Sequence, residues 1–253
     1  MTTPLFRNTS VSMFSVGLLL LASIAQAQAP SQSFFSAVAF GTNNALLSNG
    51  ITNRSWINPA TSPAKRSDLA TQDGKYSSAE VLQYKPSSTV SQSVRTDLRT
   101  HLIRTNSSPE FQAEITKALS TDAIWQEFDR LLTSYGYSSR NLADVMAAYY
   151  VCGWEIVHKQ EIQPQQFKAI RNQLAVTMAN SPDIRRLSDA EKQRTAEAMG
   201  IMTAIAGAGS QELLKQRNQQ GFAELQQAVY QSFSRQGIDL KQLKLTDDGF
   251  VMG

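Results

Sequence analysis

The chain is predicted to be all-α, an irregular orthogonal bundle of about seven helices behind a mostly disordered N-terminal linker. Three observations predict it. From Ser88 onward apolar residues recur at helical spacing. Ser, Asp, Pro and Gly punctuate that pattern where helices start and stop. No strand–helix–strand rhythm and no internal repeat interrupts it.

Residues 1–27 are set apart first. Arg7 precedes an apolar core, Val16 to Ile24, and Ala25-Gln26-Ala27 follows. A basic start, a short apolar core and an A-x-A site form the pattern of a secretory signal peptide. The core falls short of the ~20 residues a membrane span needs, so no integral span is expected after cleavage. The mature protein is expected to be exported, periplasmic or secreted.

Residues 28–87 are rich in Ser, Thr, Asn, Gln, Ala and Pro and read as a low-complexity linker. Two apolar islands, Phe34 to Phe40 and Trp56-Ile57, could be strands or hooks that dock on the domain or on a partner.

The helical domain is expected over 88–253. Val90, Val94, Leu98 and the pair His101/Leu102 predict a first helix over 88–104. Ser108-Pro109 opens the second, with Ser as cap and Pro in the first turn, and Phe111, Ile115 and Leu119 inward. Thr121-Asp122 starts the third, which carries Ile124, Trp125, Phe128, Leu131, Leu132 and Tyr135 on one side.

The fourth, Asn141 to His158, is apolar over most of its circumference and is placed at the centre. Gly136 suits the left-handed turn before it, and Ser138, Ser139 or Asn141 can cap it. Pro164 opens the fifth, with Phe167, Ile170, Leu174 and Met178 inward. Ser188 and Glu191 make a capping box for a long sixth. That helix holds Gly200, Ala204 and Ala208 four apart, a track along which a neighbour can approach closely, although Gly207 and Gly209 could split it. The seventh buries Phe222, Leu225, Val229 and Phe233 and stops at Gly237. Ile238 to Phe250 reads as an extended segment tucked against the bundle.

Composition narrows the function classes. The 24 basic and 21 acidic residues are nearly balanced, and removing 1–27 takes only Arg7. So slight an excess does not suggest nucleic-acid binding. Cys152 is the single cysteine, which leaves an exported chain without an internal disulfide. On an apolar helix it reads as an inert buried residue rather than a nucleophile.

No metal or cofactor is expected. Glu155 and His158 form a lone E-x-x-H pair, and no second pair completes a di-iron set. No nucleophile elbow, zinc motif or phosphate loop is present. The polar candidates are Asp129, Arg130, Asp144 and Glu155. Asp129 and Arg130 read as a polar pair on a helix edge. Asp144 and Glu155 lie eleven positions apart, roughly 16 Å along one helix, farther than the ~5–9.5 Å of glycosidic carboxylate pairs. An aromatic group, Tyr135, Tyr137, Tyr149, Tyr150, Trp154 and His158, reads either as core filling or as a ligand groove.

Several of these residues carry a family resemblance. They are Tyr84-Lys85-Pro86-Ser87, Phe128 to Leu132 with Tyr135-Gly136, Asn141 to Tyr149, Trp154 and the closing Leu245 to Phe250. Over about residues 80–250 the chain resembles a group of exported bacterial proteins known only as a domain of unknown function, the one catalogued as six-six-eight-three. Tyr150 departs from the Trp expected there. The resemblance implies a bacterial, exported, mainly helical domain, and implies no activity, cofactor or site.

Three functions stay open. The first is a non-catalytic binding module for an envelope protein or a cell-surface component. The second is a carrier holding a small apolar ligand in a groove lined by Tyr135, Tyr149, Tyr150, Trp154 and His158. The third is an unrecognised cell-wall hydrolase using Asp129, Asp144 or Glu155.

Overall fold

The computed structural model describes residues 78–253. The expected signal segment, most of the expected linker and its two apolar islands lie outside the described residues. The elements are α1 (Ser78–Leu82), α2 (Ser88–Thr105), α3 (Pro109–Ala118), α4 (Ala123–Ser134), α5 (Leu142–His158), α6 (Pro164–Asn180), α7 (Pro182–Arg186), α8 (Asp189–Lys215) and α9 (Gln219–Arg235). A 3-10 turn, Leu240–Gln242, then leads into β1 (Leu243–Thr246) and β2 (Gly249–Met252). The all-α expectation holds, and the seven longer helices are those the spacing predicts.

Local chemistry sets the boundaries. The Ser108 hydroxyl accepts the Phe111 N–H at 3.3 Å, and Pro109 fills the first position of α3. Asn141 Oδ1 accepts the Ala143 N–H at 3.0 Å, which makes it the cap of α5. Ser188 and Glu191 form the capping box of α8, and Asn218 caps α9 through the Gly221 N–H. Gly136 and Gly237 take φ of 79° and 81°, the left-handed conformation that ends α4 and α9.

α5 and α8 form the middle of the bundle. Every residue of α5 from Leu142 to Trp154 is buried, because α6, α8, α9 and the 3-10 turn all pack on it. α8 runs unbroken for 27 residues, so Gly207 and Gly209 do not split it. At Gly200 α4 packs closely on α8. A Cβ there would lie 2.6 Å from the Trp125 ring and 2.7 Å from Phe128.

Two boundaries differ from expectation. The fold starts before Ser88, inside the stretch read as linker. Leu82 is fully buried and Tyr84 is 6% exposed. Tyr84 donates its backbone N–H to the Arg140 carbonyl at 3.2 Å and its hydroxyl to the Ser139 carbonyl at 2.9 Å. Gln193 on α8 grips the backbone of Ser87 from both sides, at 2.8 Å each. These anchors lie on distant elements, so local composition does not reveal them.

The tail is not one extended strand either. It folds back as a hairpin, with Leu243 opposite Met252 and Thr246 opposite Gly249. Asp247-Asp248 form the two-residue turn, and Gly249 takes φ of 113°, where a side chain would be strained.

Candidate functional site

The aromatic candidates lie in the core rather than along an open groove. Tyr149 and Tyr150 are 1% and 2% exposed. Both pack on Phe233 of α9, with ring centroids 4.9 and 5.4 Å away. The Gln236 amide donates to the Tyr149 hydroxyl at 3.0 Å. Burial raises the pKa of both phenols.

Trp154 and His158 face the tail. Their rings stack at 4.4 Å, the Trp154 indole donates to the Leu243 carbonyl at 2.9 Å, and His158 Nε2 lies 2.9 Å from the Leu240 carbonyl. Tyr135 is half-buried at the end of α4. A groove shared by all five residues therefore does not form, because Phe233 and the tail occupy the space around the rings.

The polar candidates also separate. Arg130 pairs with Glu127, one turn away on the exposed side of α4, and not with Asp129. Asp129 instead accepts a hydrogen bond from the Ser139 hydroxyl. Asp144 is 4% exposed. It is held by the Arg171 guanidinium at 2.6 Å and by the Ser138 N–H at 2.9 Å, a structural tie between α5 and α6.

Glu155 is different. It sits in the last turn of α5, half-buried, and faces a cleft of about 290 Å³. The walls come from Cys152 and Ile156 of α5, Gly207, Ser210, Gln211 and Leu214 of α8, and Phe222 of α9. The loop Lys159–Glu161 forms one rim. Lys159 takes φ of 54° there, turning the chain sharply at the end of α5. Glu155 Oε1 accepts the Ile162 N–H at 3.0 Å, which ties the loop back to α5.

Burial pushes the Glu155 carboxyl up to about 7, and Glu161 adds to the rise while the Ile162 N–H opposes it. A carboxyl titrating near neutrality can exchange a proton or hold a cation under ordinary conditions. Burial followed by the Glu155 charge raises the pKa of the Cys152 thiol, which keeps it an unreactive thiol rather than a thiolate.

Sequence reasoning picked out Glu155 without its surroundings. The cleft is assembled from α8 and α9, more than fifty positions along the chain, and no local spacing announces it. Among the described residues, no group of three or more His, Cys, Asp or Glu is arranged to hold a metal ion. Among them too, no helix is long and apolar enough to cross a membrane.

No curated protein and no solved structure matches the chain. One family profile does, over residues 10–253, which extends the resemblance back through the linker. By that match the chain belongs to DUF6683, a family of unknown function.

Proposed function

We propose that the protein is an exported envelope or secreted protein whose helical domain is a non-catalytic binding module, with the Glu155 cleft as its binding site. The cleft is the single observation that carries this reading. Apolar side chains with a few converging polar groups are the usual makeup of ligand sites, and this one lies at the small end of their size range. Leu214, in its lining, is 58% exposed and is the one large hydrophobic side chain so exposed among the described residues. Export is supported by Arg7, the Val16–Ile24 core and the A-x-A site. The hydrolase reading loses support, because Asp129 and Asp144 are tied to other partners and neither joins Glu155.

The test is native mass spectrometry of the protein purified from its own host's envelope, with a denatured control. It is paired with a photo-crosslinking residue placed at Leu214 and, as control, at exposed Thr96. A mass excess lost on denaturation, or a crosslink from position 214 alone, is expected. A bare mass together with no site-specific crosslink overturns the reading.

A further inference from the structure

The Glu155 cleft has a definite chemical character, and this inference rests on the binding reading above. We infer that it takes a primary ammonium group on a short aliphatic stem, the cation against Glu155 and the stem along Ile156, Phe222 and Leu214. A lysine side chain of a polypeptide and a free alkyl diamine share that chemistry.

Three observations point to this occupant. The first is charge. Two carboxylates, Glu155 and Glu161, line the cleft against one base, Lys159. Lys159 is already engaged, its Nζ 5.1 Å from the centroid of the Phe222 ring. With Glu155 ionised the lining carries one net negative charge, which disfavours an anion and favours a cation.

The second is shape. At about 290 Å³ the space suits a stem of a few carbons rather than a large ligand. Its lining includes the exposed Leu214 and the half-buried Glu155.

The third is hydrogen bonding. The Ile162 N–H binds Oε1 of Glu155, and among the described residues no donor is hydrogen-bonded to Oε2. An ammonium group, with three donors, suits that oxygen. The seat of Lys159 over Phe222 shows that the same ring already accepts an alkylammonium group from within the chain.

The pairing makes binding depend on pH. The groups that act on Glu155 are Glu161 from the loop, Tyr135 from α4 and Cys152 from its own helix, with Lys159 on the rim. α8 and α9 line the cleft with Ser210, Gln211, Leu214 and Phe222 and contribute no titratable group to it. With a carboxyl titrating at about 7, only about one molecule in thirty has Glu155 ionised at a pH one and a half units lower. A bound cation favours the ionised form, so binding displaces a proton at mildly acidic pH.

The test is isothermal titration of the full chain with 1,5-diaminopentane, with the N-acetylated, C-amidated peptide Gly-Lys-Gly, and with the ammonium-free mimics 1-pentanol and N-acetylated, C-amidated Gly-norleucine-Gly. Each is run at pH 5.5 and pH 8. The expected result is binding of the cations alone, tighter at pH 8 by roughly tenfold or more. Glu155→Gln should weaken it by about tenfold or more. Glutamine still offers an oxygen to the Ile162 N–H, so the loop stays tied to α5. Leu214→Lys, at a side chain 58% exposed, should also weaken binding by placing a cation in the lining.

Tighter binding of Gly-Lys-Gly than of the diamine identifies a polypeptide side chain as the source, and the reverse identifies a free amine. Equal binding of the neutral mimics, or unchanged binding by Glu155→Gln, overturns the cation inference and leaves an apolar binding cleft. No binding of any probe also overturns it, while the native mass and the Leu214 crosslink decide the broader reading separately.

Discussion

Trp154 and Leu243, 89 positions apart in the chain, are joined by a 2.9 Å hydrogen bond from the indole N–H to the backbone carbonyl. Trp154 is 5% exposed and Leu243 1%, so the bond lies away from water. With the His158–Leu240 contact beside it, it fastens the C-terminal hairpin to the central helix. Gln173 of α6 fastens the far strand, accepting the Phe250 N–H at 2.9 Å and donating to its carbonyl at 2.8 Å.

Trp154→Phe keeps an aromatic ring and removes the donor. A buried carbonyl left without its partner costs about 1–3 kcal/mol, and the loss should appear as a lower urea midpoint. The hairpin amides should also exchange faster with solvent than those of α5. Unchanged exchange at Leu245 and Val251 would show that Gln173 and the His158–Leu240 contact hold the hairpin without the indole bond.

Glu155 makes stability depend on pH in an unusual direction for a carboxylate. Its ordinary value of 4.5 rises to about 7 in the folded chain, chiefly through burial. Between those values the folded state holds more protons than the unfolded state. This contribution is therefore full below pH 4.5 and lost as pH rises through 7. At 1.36 kcal/mol per pH unit it amounts to about 3.4 kcal/mol at most. Glu155→Gln should raise stability at pH 8 by about 1–3 kcal/mol and flatten this part of the profile. Chemical denaturation at several pH values reads it, and parallel profiles for the two proteins would contradict it.

Two arginines on helix surfaces should behave very differently. Arg171 is 25% exposed and neutralises Asp144, whose side chain is 6% exposed. Removing one member of a largely buried pair strands the other, so Arg171→Ala should cost about 3 kcal/mol. Arg130 is 70% exposed, and its pair with Glu127 lies on the outside of α4. Arg130→Ala should change stability by no more than about 0.5 kcal/mol. Equal losses in urea unfolding would mean that the Asp144 tie adds nothing beyond a surface pair.

The contrast between these residues shows what the sequence could disclose. Helix starts depend on groups within three or four residues, and so Ser108-Pro109, Asn141 and the Ser188/Glu191 box mark their positions in plain view. α1 is five residues long, too short for a period to show, and Tyr84 is held by a partner 55 positions away. The hairpin does have a readable local signal, Asp247-Asp248-Gly249 between alternating apolar residues. Asp129 sits beside Arg130 in sequence but turns instead to Ser139, because neighbouring positions on a helix point in different directions. Glu155 was legible as a polar residue on an apolar helix, but its cleft depends on how α8 and α9 arrive there.

Gly200 tests the closeness of that packing. As a residue inside an exposed helix, glycine would be improved by alanine, by about 1 kcal/mol. Here the added Cβ would lie 2.6 Å from Trp125 and 2.7 Å from two atoms of Phe128. Phe128 is 1% exposed and stacked on Trp125 with centroids 5.6 Å apart, so neither ring can swing aside into solvent without breaking the other's packing. Overpacking of this kind costs about 1–3 kcal/mol, which outweighs or cancels the gain in helix propensity. Gly200→Ala should therefore be neutral to destabilising by about 2 kcal/mol, with a lowered urea midpoint and a perturbed near-ultraviolet signal from Trp125. A stabilised protein with that signal unchanged would mean that α4 retreats freely from α8, and that the glycine is not what lets the two helices meet.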